Sequence, residues 1–130
     1  MEKVLDQLTG EMGSLSKELD DCREIFVALG DENRQSIIMM LLKKYGGMRV
    51  GELSSHIGLS RPATSHHLRI LKDARLIGMY KRGTMNFYYM GSESDRWASV
   101  IGLFSHVDKI ITAFNYHSEN GLVCPAKEED

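Results

Sequence analysis

The sequence predicts a mainly helical fold carrying one small β-hairpin, and three observations lead to that reading. Apolar residues recur at steps of three and four through the first two-thirds of the chain. After Leu76 the pattern turns to short runs rich in β-formers, Ile77–Lys81 and Met85–Met90, around Arg82-Gly83-Thr84. Helical spacing then returns over a long final stretch.

The elements follow in order. The first dozen residues are expected to be frayed or loosely helical. A helix over 14–29, capped by Ser14, aligns Leu15, Leu19, Cys22, Ile25, Phe26 and Leu29 on one face, and Gly30 ends it. Residues 31–90 form the central module. Asp31 is a natural cap for a helix carrying Ile37, Ile38, Leu41, Leu42 and Tyr45, which stops at Gly46-Gly47. A short helix from Val50 to Ile57 follows, then a tight turn at Gly58-Leu59. Ser60 caps the next helix, which runs to about Ala74, with Pro62 in its first turn where a missing N–H costs nothing. On that helix Thr64, His67, Leu68 and Leu71 face inward and leave Arg61, Ser65, His66, Arg69 and Lys72 outside. Ser92 or Ser94 caps a last helix over 92–117, whose stripe of Trp97, Val100, Phe104, Val107, Ile111 and Phe114 alternates in threes and fours. Residues 119–130 read as an irregular acidic tail. The length of 130 residues suits one domain, with no repeats or linkers to divide it.

Charge is uneven. Net charge is −2 overall, yet from Ser60 to Arg82 the bases Arg61, Arg69, Lys72, Arg75, Lys81 and Arg82 face one acid, Asp73. That window carries +5 and the remainder −7, so a local phosphate contact is compatible with an acidic chain. Helix, glycine turn, capped helix and basic hairpin is the order of a winged helix-turn-helix. In that arrangement the second helix is slim enough for the major groove, and the hairpin reaches flanking phosphates. The DNA-facing set expected is Arg61, Ser65, His66 and Arg69 with the Ser60 cap beside them, and Lys81 and Arg82 on the hairpin.

The stretches LGDENRQSIIMMLL, LSRPATSHHLRILKDARLI and KRGTMNFYYM, from about Phe26 to Met90, resemble the ArsR family of winged-helix repressors. The resemblance implies a homodimer that binds an imperfect palindrome and releases it when an effector binds. Family positions that touch DNA match Arg61, Pro62, Ser65 and His66. The metal boxes of the family are not carried over. Arg49-Val50-Gly51-Glu52-Leu53 stands where a Cys-x-Cys-Asp-Leu box would be. On the last helix, Asp95-Arg96-Trp97 and Asp108-Lys109-Ile110-Ile111 keep only the first carboxylate of an Asp-x-His and His-x-x-His set. No metal or other cofactor is expected, and the effector has no assigned class.

Other readings are weaker. His66 and His67 project about 100° apart on a helix and cannot chelate one ion. His106 and His117, eleven apart, could share a metal only across a dimer. The apolar stripe from Trp97 to Phe114, with the face of Leu15, Leu19 and Cys22, is expected to form a homodimer interface. Cys22 and Cys124 are the soft ligands from which a thiol sensor could be built, although a cysteine on an apolar helical face usually acts as a small hydrophobe. A winged-helix protein-interaction module without DNA binding is the alternative function. An enzyme finds no nucleophile–base spacing or phosphate-cradling loop. A charged N-terminus and the absence of a long apolar run lead to the expectation of a cytoplasmic protein.

Overall fold

The computed structural model describes residues 2–91 and 96–119, so Ser92, Ser94, Asp95, Cys124 and the tail expected after Glu119 lie outside the described residues. Among the described residues eight elements run in order: α1 (Glu2–Asp21), α2 (Arg23–Leu29), α3 (Glu32–Lys43), α4 (Val50–Ile57), α5 (Arg61–Asp73), β1 (Ile77–Arg82), β2 (Met85–Met90) and α6 (Trp97–Glu119). Their contacts group into two compact units. One comprises 21–98, the other 1–20 together with 99–130.

The central unit is built on a core of Ile25, Ile37, Leu53, Leu68, Leu71, Leu76 and Ile77, each nearly or wholly removed from water. Asp31 caps α3 as expected, accepting from the Arg34 N–H at 3.1 Å. That helix ends earlier than its apolar spacing suggested. Ile37, Ile38 and Leu41 are buried, whereas Leu42 and Tyr45 are exposed, Tyr45 fully so beyond the end of the helix. Between α4 and α5, Gly58 adopts φ +80°, and its N–H returns to the Ser54 carbonyl at 2.9 Å. A left-handed residue here lets the chain reverse within two residues, which brings α5 directly onto α4. The Ser60 hydroxyl accepts from the Ala63 N–H at 3.2 Å and starts α5.

β1 and β2 pair antiparallel from Ile77↔Met90 to Arg82↔Met85, leaving a two-residue tip at Gly83-Thr84. Arg82 therefore belongs to the ladder and not to the loop. A further attachment has no local signal in the sequence. Met48, just before α4, forms a bridge with Tyr88 through reciprocal backbone bonds of 2.8 Å. At the far side of the hairpin the Tyr80 ring stacks on Phe87 at 5.2 Å, and its hydroxyl donates to the Gly46 carbonyl at 2.7 Å.

The entrance to this unit differs from expectation. The helix over 14–29 is two helices that part at Cys22, where φ −94° and ψ 1° leave the regular helical path. Asp20 and Asp21 stand at the carboxyl end of α1 with no base in its last turn, where helix polarity disfavours them. At the start of α2 the same polarity favours Asp21 and Glu24. Ser14 is no cap. It lies inside α1, within 3.5 Å of Glu18, because α1 already begins at Glu2. The signal for that early start was present in Leu5, Leu8, Met12, Leu15 and Leu19, spaced by threes and fours. Gly10 and Gly13 obscured it. In the second unit His106 Nδ1 on α6 lies 2.8 Å from Glu18 Oε1 on α1.

Candidate nucleic-acid interface

The helix α5 has two faces. Thr64, Leu68 and Leu71 are buried, and His67 is half-buried beside them. Pro62, His66, Arg69 and Lys72 are exposed on the other side, with Ser65 half-buried at its border. The first turn contains no acid, so nothing opposes the positive end of the helix. Ser60 is spent on capping and Thr64 on an internal bond, its hydroxyl donating to the Ser60 carbonyl at 2.9 Å. The polar side chains on this surface are those of Ser65, His66, Arg69 and Lys72, with the acid Asp73 exposed one turn beyond Arg69. Lys81 and Arg82 stand exposed on the hairpin.

Arg61 is placed differently from a residue that simply projects off the helix. Its guanidinium folds back over α4, with Nη2 2.9 Å from the point a Cβ on Gly51 would occupy. Any side chain at that position would collide with it, so Gly51 makes the room. Around it lies a cleft of about 480 Å³ lined by Arg49, Val50, Glu52, Ser55, Met85 and Asn86. Arg49 was not singled out from the sequence, since it lies outside the basic window. The Met48–Tyr88 bridge brings it to the hairpin, where its Nη1 is 2.8 Å from Met85 Sδ. Asn86 keeps a buried side-chain oxygen without a partner.

Two carboxylates of the central unit are held charged. Glu52 is lowered from its ordinary value first by the Arg49 backbone N–H that it accepts at 3.3 Å, then by Lys44 at 3.4 Å. Asp31 is lowered mainly by the Arg34 backbone N–H.

Of the residues expected at a dimer contact, several are consumed within the chain. Cys22 is 2% exposed, Val100 is 7% exposed, and Trp97 donates its indole N–H to the Leu76 carbonyl at 2.9 Å. Leu15 and Val107 are half-buried. Leu19, Phe104 and Ile111 remain exposed, as does Ile101, which widens the same stripe, and Met12 joins them. The Phe114 side chain lies outside the described residues. Among the described residues no three His, Cys, Asp or Glu side chains gather as a metal would need, and no helix is long and apolar enough to cross a membrane.

A sequence profile of the bacterial regulatory protein arsR family matches residues 31–78, from the Asp31 cap to the first hairpin strand. The chain is 38% identical over 87 residues to the uncharacterized HTH-type transcriptional regulator MJ1325 of Methanocaldococcus jannaschii, spanning 67% of this chain and 94% of that protein. This chain belongs to the ArsR family of winged helix-turn-helix transcriptional regulators. It is therefore a DNA-binding regulator and not an enzyme. It is also 35% identical over 68 residues to the transcriptional repressor SdpR of Bacillus subtilis, covering 52% of this chain and 73% of SdpR. The fold matches that of the homodimeric winged helix-turn-helix domain of Mb0332 from Mycobacterium bovis. The TM-score is 0.55 at 24% identity, over 75% of this chain and 83% of that one.

Proposed function

We propose that this ArsR-family regulator acts as a homodimeric repressor that reads a palindromic operator with α5 and leaves it when an effector binds. The observation that carries the reading is the exposed face of His66, Arg69 and Lys72, bordered by Ser65 and with no acid in the first turn of the helix, together with the exposed cationic hairpin residues Lys81 and Arg82. The helix face supplies donors for base edges, while the hairpin lysine and arginine supply charge for phosphates, which positions the protein without choosing sequence. Repression is supported by the likeness to SdpR, which is named a repressor.

A homodimer is supported by the exposed apolar residues Leu19, Ile101, Phe104 and Ile111, between 45% and 66% exposed, and by the homodimeric state of the Mb0332 domain. Two copies of one recognition helix match two half-sites about 34 Å apart, which is why the operator should be palindromic. A cytoplasmic site of action fits a protein whose target is DNA. Selection of binding sites from random duplex DNA tests the whole reading. Recovery of a two-fold symmetric sequence is the expected result, and failure to enrich any sequence overturns it.

A further inference from the structure

Arg34 lies in the first half of α3 and is only 9% exposed, an unusual state for a guanidinium. Its Nε donates to the Ala28 carbonyl at 2.7 Å and its Nη2 to the Val27 carbonyl at 3.1 Å. Both acceptors sit in the last turn of α2, which has no base of its own there, so the neighbouring helix supplies the charge that its carbonyl end favours. The remaining nitrogen, Nη1, is 3.1 Å from His67 Nδ1 on α5.

An arginine has only hydrogens to give, so His67 Nδ1 must be the acceptor and the ring proton must reside on Nε2. The Asp31 carboxylate, which caps α3 through the Arg34 N–H, stands 3.9 Å from the same Nδ1. One planar fork thus holds two carbonyls of α2 and one ring of α5 at fixed angles. His67 is held by this fork on one side of α5, and its sequence neighbour His66 is exposed, the two ring centres 5.9 Å apart. Successive side chains on a helix diverge by about 100°, so fixing the His67 ring fixes the rotation of α5 about its own axis and thereby the direction of His66.

We propose that Arg34 and His67 form a roll stop for the recognition helix, which makes both of them positioning residues for base reading. The inference rests on the proposal that α5 reads DNA. Its physical logic is leverage. A roll of about 20° swings a side-chain tip ~6 Å from the helix axis by about 2 Å, far beyond what a hydrogen bond to a base edge tolerates. Phosphate contacts from the hairpin do not share that axis and tolerate the same roll. Loss of the stop therefore removes specific binding and spares nonspecific binding. A purely structural role would lower both together, since it would only reduce the amount of folded protein.

The experiment measures the affinity of the full chain for its selected operator and for a scrambled duplex of equal length, each over a range of salt. His67→Asn keeps an acceptor where Nδ1 stood, whereas His67→Leu removes it. Arg34→Lys keeps the charge and loses the fork. The expected result is that His67→Asn holds the operator-to-scrambled ratio within about threefold of wild type. His67→Leu and Arg34→Lys should each lower that ratio by about tenfold or more, with scrambled-duplex affinity and salt slope unchanged. Should Arg34→Lys fail to fold, the two His67 variants decide. A His67→Leu protein that keeps the ratio, or loses both affinities in parallel, overturns the roll stop. A wild-type protein with no preference for any duplex removes the DNA-reading proposal itself, a different and recognisable failure.

Discussion

The Arg61 guanidinium occupies the space that a side chain on Gly51 would need, 2.9 Å from the position of the absent Cβ. The arginine that starts α5 is thereby stowed against α4, in a cleft shared with Arg49. Arg61→Ala should weaken operator binding by about 1–3 kcal/mol if the guanidinium swings out to a guanine edge. Gly51→Ala evicts only the flexible end of Arg61, so it should leave the melting temperature nearly unchanged and operator affinity intact. If titrations on a labelled operator show Gly51→Ala to be as damaging as Arg61→Ala, the stowed position is the one that touches DNA.

Lys81 and Arg82 are exposed on the hairpin. Alanine at Lys81 should weaken operator and scrambled duplex alike and flatten the salt dependence by about one unit. An unchanged slope would exclude Lys81 from phosphate contact.

Phe104 and Ile111 on α6 are 56% and 51% exposed, so a carboxylate at either position meets water in the single chain and the helices should survive. In a dimer the same carboxylate would be an unpaired buried charge, a penalty of several kcal/mol. Phe104→Glu should therefore sediment as a monomer with an unaltered far-ultraviolet circular dichroism spectrum, and its operator affinity should fall because two half-sites are no longer joined. A tight Phe104→Glu dimer would remove α6 from the interface.

Asp31 is held below the ordinary carboxylate value of 3.8, chiefly by the Arg34 backbone N–H that it accepts. A carboxylate lowered on folding stabilises the protein above its unfolded value, and that contribution is lost as pH falls through the folded value. Acidification from about pH 4 downward should thus destabilise wild type more steeply than Asp31→Asn, which keeps a capping oxygen but cannot titrate. Parallel melting curves of the two proteins between pH 5 and pH 2.5, as an approximate range, would remove Asp31 from the acid response.

Cys22 is 2% exposed. Iodoacetamide should leave it unmodified in the native protein and label it in urea, as read by mass spectrometry. Rapid native labelling at Cys22 would favour a thiol sensor there.

The module from Asp31 to Met90 was legible because its punctuation is chemical. Asp31 and Ser60 can accept an N–H, Pro62 fits only the first turn of its helix, and Gly58 permits a backbone that other residues resist. The break at Cys22 was not legible, since the apolar spacing runs through it without interruption. Arg34 was missed for a related reason. A base among Asn33, Gln35 and Ser36 reads as solvent-facing, and only the fold shows α2 ending against it. Arg49 lies thirty-six positions from Met85, and no local pattern reports a contact made by a backbone bridge.

The Met48–Tyr88 bridge sets apart what can vary from what cannot. The base of the hairpin is stitched to the residue that leads into α4, whereas Gly83-Thr84 at the other end lies beyond the last ladder pair, Arg82↔Met85. Added residues at the tip would lengthen the reach of the hairpin without turning its aim. If the hairpin grips a duplex as proposed, changes at the tip would alter how far along it the protein reaches, while the attachment at Met48 would keep the angle of approach.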